Sequence, residues 1–280
     1  MNRHAALAAA VPGYEKGQTL SLPGVWDGLS IKLVEQAGFA CAFLSGGALS
    51  MARHGKRDIG LTTLPELAQT VSVIREVSDL PLFVDADTGF GNEENAARTI
   101  RLLEASGATA IQIEDQVFPK RCGFIAGKAV IPAEVFADKL KAVLDARRTE
   151  RCLVIARTDA RSVEGFDSAM ERAALYAETG ADLIFIEGPE TQAEMQLIGD
   201  RFAADKPLVH NLVEGGGSPV STASEVQALG YAVGLHPLVL LHGFIRQAPA
   251  HLKILRETGS TGSLAHDIAD LHEFNALLKA

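Results

Sequence analysis

The chain has 280 residues, 47% of them hydrophobic, enough to bury a full core in one large α/β domain or two small ones. Its formal net charge of −9 speaks against nucleic acid or an anionic membrane as partner. Three widely spaced cysteines, Cys41, Cys122 and Cys152, do not make a disulfide framework. With no signal-peptide pattern and no apolar run near the roughly 20 residues of a membrane span, they point to a reduced, cytoplasmic setting.

Apolar runs of strand length recur along the chain, with amphipathic segments between them. TLSLPGVWD at 19 opens the series, weakened by Pro23. CAFLSGG at 41, LPLFVDAD at 80, AIQIED at 110, LVIARTD at 153, LIFIEG at 183, PLVHNL at 207 and YAVGLHP at 231 follow. After LPLFVDAD, the segment EENAARTIRLLEASG puts Ala96, Ile100 and Leu103 on one helical face, with Asn92 as predicted N-cap and Gly107 as predicted C-cap. SAMERAALYAETG at 168 repeats that design, and another helix is expected to start near Pro132. Repeated strand and helix units with continuously apolar strands predict a parallel sheet closed as a (β/α)8 TIM barrel; a doubly wound open sheet is the competing architecture. With no composition break and no long linker, residues 1–280 read as one domain, the run from His242 onward adding C-terminal helices.

In such a barrel the active site lies at the C-terminal ends of the strands. Those ends carry Ser45-Gly46-Gly47, Asp85 and Asp87, Glu114, Arg157 and Asp159, Glu187, Asn211, and His236-Pro237. Any one of them could be a turn signal or a helix cap. As a set they suggest chemistry. Asp85 and Asp87, two apart in a strand, would project to one side, and Glu114 ends the next strand. Three converging carboxylates need cations or a metal among them. Oxygen ligands without a His or Cys cluster suit a hard ion, Mg2+ first, with Mn2+ as a substitute. A salt-bridge network with Arg157 and Lys120 is the alternative reading.

GFGN at 89 is too short for a dinucleotide fingerprint and reads as a strand-to-helix loop; GGG at 215 reads as a flexible loop beside Asn211. Cys41 and Cys152 read as core residues, and His210, His236 and His242 lack metal-ligand spacing. EDQVFPKRCGF, from Glu114 to Phe124, differs from all of these. It puts a lone thiol in a loop rich in charge and glycine, where Lys120 and Arg121 would favour the thiolate. A mobile loop carrying an acid over a carboxylate site has the character of a gate.

VDADTGFG, IEDQVFPKRCG, ARTDA and the spaced SGG together resemble the isocitrate lyase and phosphoenolpyruvate mutase superfamily, from about Trp26 to the C-terminus. KRCG is similar to the loop of the carbon–carbon lyases; the enzymes acting on P–C bonds carry a small polar pair after the loop lysine. Short length, NLVEGG at 211 and EFN near the end resemble the 2,3-dimethylmalate lyase and petal-death-like group, with the 2-methylisocitrate lyases next. The resemblance implies a last barrel helix exchanged between subunits, a homotetramer of such pairs, and Mg2+ held by Asp85, Asp87 and Glu114, partly through water. It also implies cleavage of a C–C bond in a 2-hydroxy di- or tricarboxylate to an α-keto acid and a second carboxylic acid. Catalytic roles then fall to Cys122, Lys120, Arg157 and Glu187. Substrate binding falls to Phe43, Ser45, Gly46, Gly47, Asp58, Gly123, Phe124, Phe185, Asn211, Leu235 and Pro237. An oxaloacetate hydrolase or decarboxylase of the same superfamily is the alternative, and a non-enzymatic binding barrel a third reading. Two residues depart from the pattern: Phe124 replaces the loop histidine, and Phe43 stands where the methylisocitrate lyases have a tyrosine. A phenyl ring at 124 makes that corner less polar and favours a second fragment with an apolar group or fewer carboxylates.

Overall fold

Every apolar run predicted as a strand forms one in the structure, a computed structural model that describes residues 3–123 and 127–279. The strands are β1 (Leu20–Val25), β2 (Ala42–Leu44), β3 (Leu82–Asp85), β4 (Ala110–Glu114), β5 (Leu153–Thr158), β6 (Leu183–Ile186), β7 (Leu208–Asn211) and β8 (Val233–His236). All neighbours pair parallel in chain order, and β8 returns to β1 with Leu20 opposite Val233, so the sheet is a closed barrel and the open alternative is excluded. Pro23 is accommodated within β1, opposite His236. Next to it Gly24 is required by packing, because a Cβ there would lie 1.9 Å from the carbonyl oxygen of Pro237.

The helices are α1 (Arg3–Ala10), α2 (Gly28–Gln36), α3 (Gly46–His54), α4 (Leu64–Arg75), α5 (Glu93–Ala105), α6 (Ala133–Ala146), α7 (Phe166–Thr179), α8 (Gln192–Phe202), α9 (Ala223–Ala228), α10 (Val239–Thr258) and α11 (Leu271–Lys279). Helix α5 starts as predicted. The Asn92 side chain accepts the Asn95 N–H, and the Asn95 side chain accepts the Asn92 N–H, both at 3.1 Å. Its C-cap is Ser106, and Gly107 follows in left-handed backbone at φ +102°, one position later than expected.

Apolar residues alternate along the strands between two cores. One fills the space between sheet and helices, where Ala96, Ile100 and Leu103 of α5 are buried. The other fills the barrel with Leu22, Phe43, Phe83, Ile155, Phe185, Val209 and Leu235. Helix α1, absent from the predicted elements, joins this second core through Ala6 and Leu7, with Val11 just past its end. At the opposite end, Asp115 just past β4 accepts hydrogen bonds from Thr158 Oγ1 (2.7 Å), Tyr176 OH (2.9 Å) and the Asp159 N–H (3.0 Å). This buried carboxylate ties the ends of β4 and β5 to α7, and so sets the positions of Glu114 and Arg157.

Helix α10 starts at Val239, three residues before the expected run, and buries only Leu241. Phe244 is 66% exposed and Leu252 64%, with Ile245 and Leu255 also outward, which leaves an apolar face without a partner among the described residues. No helix of the described residues is long and apolar enough to cross a membrane.

Candidate active site

Asp85 ends β3, but β3 stops there: Asp87 lies beyond the strand in left-handed backbone at φ +49°. The expectation that the two acids share a strand is corrected. They converge all the same, because the Asp87 N–H donates to Asp85 Oδ1 at 3.2 Å and Gln112 Nε2 donates to the same oxygen at 3.2 Å. Gly46 leaves room for both: a Cβ there would sit 3.0 Å from Asp85 Oδ2 and 3.4 Å from Asp87 Oδ1.

Lys120 Nζ lies 2.6 Å from Asp58 Oδ2 and 2.9 Å from Asp87 Oδ1. Arg157 lies 2.9 Å from Asp159, 3.2 Å from Glu187 and 3.4 Å from Glu114. The salt-bridge network weighed from sequence is therefore present. It does not exhaust the acids. Six carboxylates (Asp58, Asp85, Asp87, Glu114, Asp159 and Glu187) face three cations (Lys120, Lys128 and Arg157), and six less three leaves an excess of three negative charges. Both Glu114 carboxylate oxygens are buried without a hydrogen-bond donor among the described residues. Burial raises the Glu114 pKa well above the usual carboxylate range, against the pull of Arg157 and Lys120. Asp87 is pushed up to about 7, chiefly by burial, with Asp85 and Asp58 adding repulsion that Lys120 offsets in part.

A buried, cation-short group of oxygens has the chemistry that a hard divalent ion takes as ligands. Among the described residues no group of three or more His, Cys, Asp or Glu is set to hold an ion directly.

Above these acids, Ser45 caps α3. Its Oγ accepts the Ala48 N–H at 3.1 Å, and its own N–H donates to Val25 O at 3.2 Å. The donors left for a ligand in this stretch are the first-turn N–H groups of Gly46 and Gly47, at a helix N-terminus that favours anions. The cavity is walled by Phe43, Ser45, Gly47, Asp58, Asp85, Lys120, Cys122, Gly123, Arg157, Asn211, Leu235 and Pro237, together with Met51, Val213 and Leu238. The last three were not foreseen. Met51 follows Gly47 by one helical turn and Val213 follows Asn211 by two residues, spacings that could have flagged them.

Other expected residues stand behind the wall. Phe185 lies beneath Arg157, with the guanidinium carbon 5.1 Å from its ring centroid. Glu187 Oε2 accepts Asn211 Nδ2 at 2.7 Å, and burial raises its pKa although Arg157 opposes this. Cys122 is half-buried, and its N–H donates to Asp58 O at 3.1 Å. The Lys120 amine, expected to act on this thiol, also contacts two carboxylates. Phe124 lies outside the described residues.

A parallel barrel whose strand ends gather carboxylates, an arginine and a loop thiol defines the class of (β/α)8 enzymes built for acid–base work on an anionic substrate. The phosphoenolpyruvate phosphomutase family matches residues 14–242. Over 268 residues the chain is 41% identical to a chloroplastic carboxyvinyl-carboxyphosphonate phosphorylmutase of Arabidopsis thaliana, covering 94% of this chain and 78% of that protein. Over 264 residues it is 40% identical to a 2-methylisocitrate lyase of Aeropyrum pernix, covering 94% and 84%. It superposes on a 2,3-dimethylmalate lyase with a TM-score of 0.90 at 28% identity, covering 99% of this chain and 92% of that one. An oxaloacetate acetylhydrolase holding 3,3-difluorooxalacetate gives 0.89 at 27%, covering 99% and 93%. The chain belongs to the phosphoenolpyruvate mutase/isocitrate lyase superfamily, as VDADTGFG and KRCG indicated.

Proposed function

We propose that the protein is a Mg2+-dependent carbon–carbon lyase that cleaves a 2-hydroxy dicarboxylate carrying alkyl substituents into an α-keto acid and a second carboxylic acid. The observation that carries this reading is the meeting, in one cavity, of the Arg157 guanidinium, the Asp85 carboxylate and Cys122, with Glu114 buried behind the wall against Arg157. Asp85, Asp87 and Glu114 would hold the ion. When bound, Mg2+ supplies Lewis-acid polarisation of the substrate's 2-oxygen.

The remaining work falls to the chain itself. Arg157 and the Gly46 and Gly47 N–H groups bind the carboxylate next to the hydroxyl. The hydroxyl proton leaves as the C–C bond breaks and the α-keto acid forms, taken up by a water or by Glu187, which stands behind Arg157 and would act through it. The bonding pair leaves on the second fragment as a carbanion, which Cys122 quenches with its proton. The substrate class follows from the walls. Phe43, Met51, Val213, Leu235, Pro237 and Leu238 are apolar, while the only cations among the described lining residues are Lys120, already paired twice, and Arg157. A third carboxylate would meet no free cation, so alkyl malates fit better than isocitrate.

Incubation with a panel of 2-hydroxy and 2-keto diacids, with pyruvate, glyoxylate and oxalate measured as products, tests this reading. Oxalate released from oxaloacetate as the dominant product would replace it with the hydrolase that the second solved structure favours. Arg157→Lys keeps the charge but loses the planar fork, and is expected to cost transition-state binding of about 2 kcal/mol or more. A near-unchanged kcat/KM in that variant would place the substrate carboxylate elsewhere. The exposed apolar face of α10 supports helix exchange between copies in a homotetramer, a mass that sedimentation velocity checks.

A further inference from the structure

Lys128 has no role in the mechanism above, yet its side chain is only 5% exposed and its amine makes two short contacts. Nζ donates to the carbonyl oxygen of Gly123 at 2.7 Å and to Asp159 Oδ1 at 2.8 Å. Asp159 receives Arg157 on both its oxygens, Nε at 2.9 Å and Nη2 at 3.1 Å. Its backbone is pinned in turn, since the Asp159 N–H donates to buried Asp115. Burial pushes the Asp159 pKa up, but Arg157 and Lys128 outweigh it and hold the carboxyl at about 2, so the acid stays charged. Gly123 packs directly on the arginine. A Cβ at that position would lie 2.7 Å from Arg157 Nη2 and 3.1 Å from the Glu187 carboxyl carbon.

We propose that Lys128 is a positioning residue: it clamps the backbone beside Cys122 to Asp159, the same carboxylate that aims Arg157, and so sets the distance between thiol and substrate. Lysine suits the task because a tetrahedral ammonium satisfies two acceptors in different directions, and because its charge is matched by Asp159. A neutral side chain at 128 would leave the Gly123 carbonyl without its donor and release the loop on one side of Cys122. The Arg157 fork would stay, held by both oxygens of Asp159. Ground-state binding should therefore survive while delivery of the proton suffers.

The inference rests on the lyase reading for Cys122 and Arg157, and its test includes a measurement that does not need turnover. In Lys128→Met, kcat is expected to fall about tenfold or more with KM changed less than threefold, the split of a lost positioning contact. Iodoacetamide alkylation of Cys122, followed by mass spectrometry, is expected to speed up about tenfold, and oxalate with Mg2+, expected to suppress it in the unmodified chain, should no longer do so. Cys41 and Cys152 are buried, with pKa values pushed up to about 12 by burial, and do not confuse the readout. Gly123→Ala, which displaces the loop from the arginine side, should reproduce the faster alkylation. If no diacid is cleaved, the functional reading fails, while alkylation still reports on Lys128. Alkylation within twofold of the unmodified chain in Lys128→Met overturns the proposal, whether or not kcat has fallen, and so does a rise in KM that accounts for the whole loss.

Discussion

Cys122→Ser is expected to lower kcat by about 10²-fold or more, because a serine hydroxyl is a far weaker acid than a thiol of ordinary pKa about 8.5 and quenches the departing carbanion slowly. The variant should fold and bind oxalate as before. The exchange is nearly isosteric, and the contact that places this backbone, from the Cys122 N–H to Asp58 O, does not involve the side chain. Steady-state kinetics together with calorimetric oxalate titration separate loss of chemistry from loss of binding. A kcat within threefold of the unmodified enzyme would remove Cys122 as the acid. The same assignment predicts poor turnover of isocitrate relative to alkyl malates, since the two cations among the described lining residues are Lys120, paired with Asp58 and Asp87, and Arg157, which binds the first carboxylate.

Removing the metal should have the other large effect. Excess chelator is expected to abolish turnover and added Mg2+ to restore it, because six carboxylates against three cations leave the site short of positive charge. Asp85→Ala should weaken Mg2+ binding by about tenfold to a hundredfold or more, measured by calorimetry without substrate. Besides removing a donor, it takes away the oxygen that accepts the Asp87 N–H and orients Gln112. Full activity in chelator, or an unchanged Mg2+ affinity in Asp85→Ala, would sink the metal assignment.

Much of the barrel was legible because strand and helix periods are local. Runs such as LVIARTD carry their own conformational preference, and the Asn92 cap closes its hydrogen bonds within three residues. The same reasoning placed Asp85, Glu114, Arg157 and Asn211 around one mouth, since parallel strands in a closed sheet all end on the same face. Helix α1 escaped notice because its partners are barrel residues from β1 to β8, distant in sequence, and its short alanine-rich stretch has no strong period of its own.

By itself, then, the sequence determined the eight strand and helix units, the acids at the strand ends and the loop that carries the thiol, all of which follow from short-range pattern and strand direction, while closure of the sheet into a barrel rests on the long-range pairing of β8 with β1. Only the tertiary structure decided which charges neutralise one another. Composition cannot say that Lys120 goes to Asp58 and Asp87, or that Lys128 reaches across to Asp159; the Lys120–Asp58 contact joins residues 62 positions apart and the Lys128–Asp159 contact residues 31 apart. Asp87 shows the same limit at short range. Two-residue spacing predicted a strand, but left-handed backbone brings its carboxylate to Lys120 and its N–H to Asp85. Pairing of buried charge depends on ångström distances set by the packing of the whole barrel, and a one-dimensional pattern does not contain them.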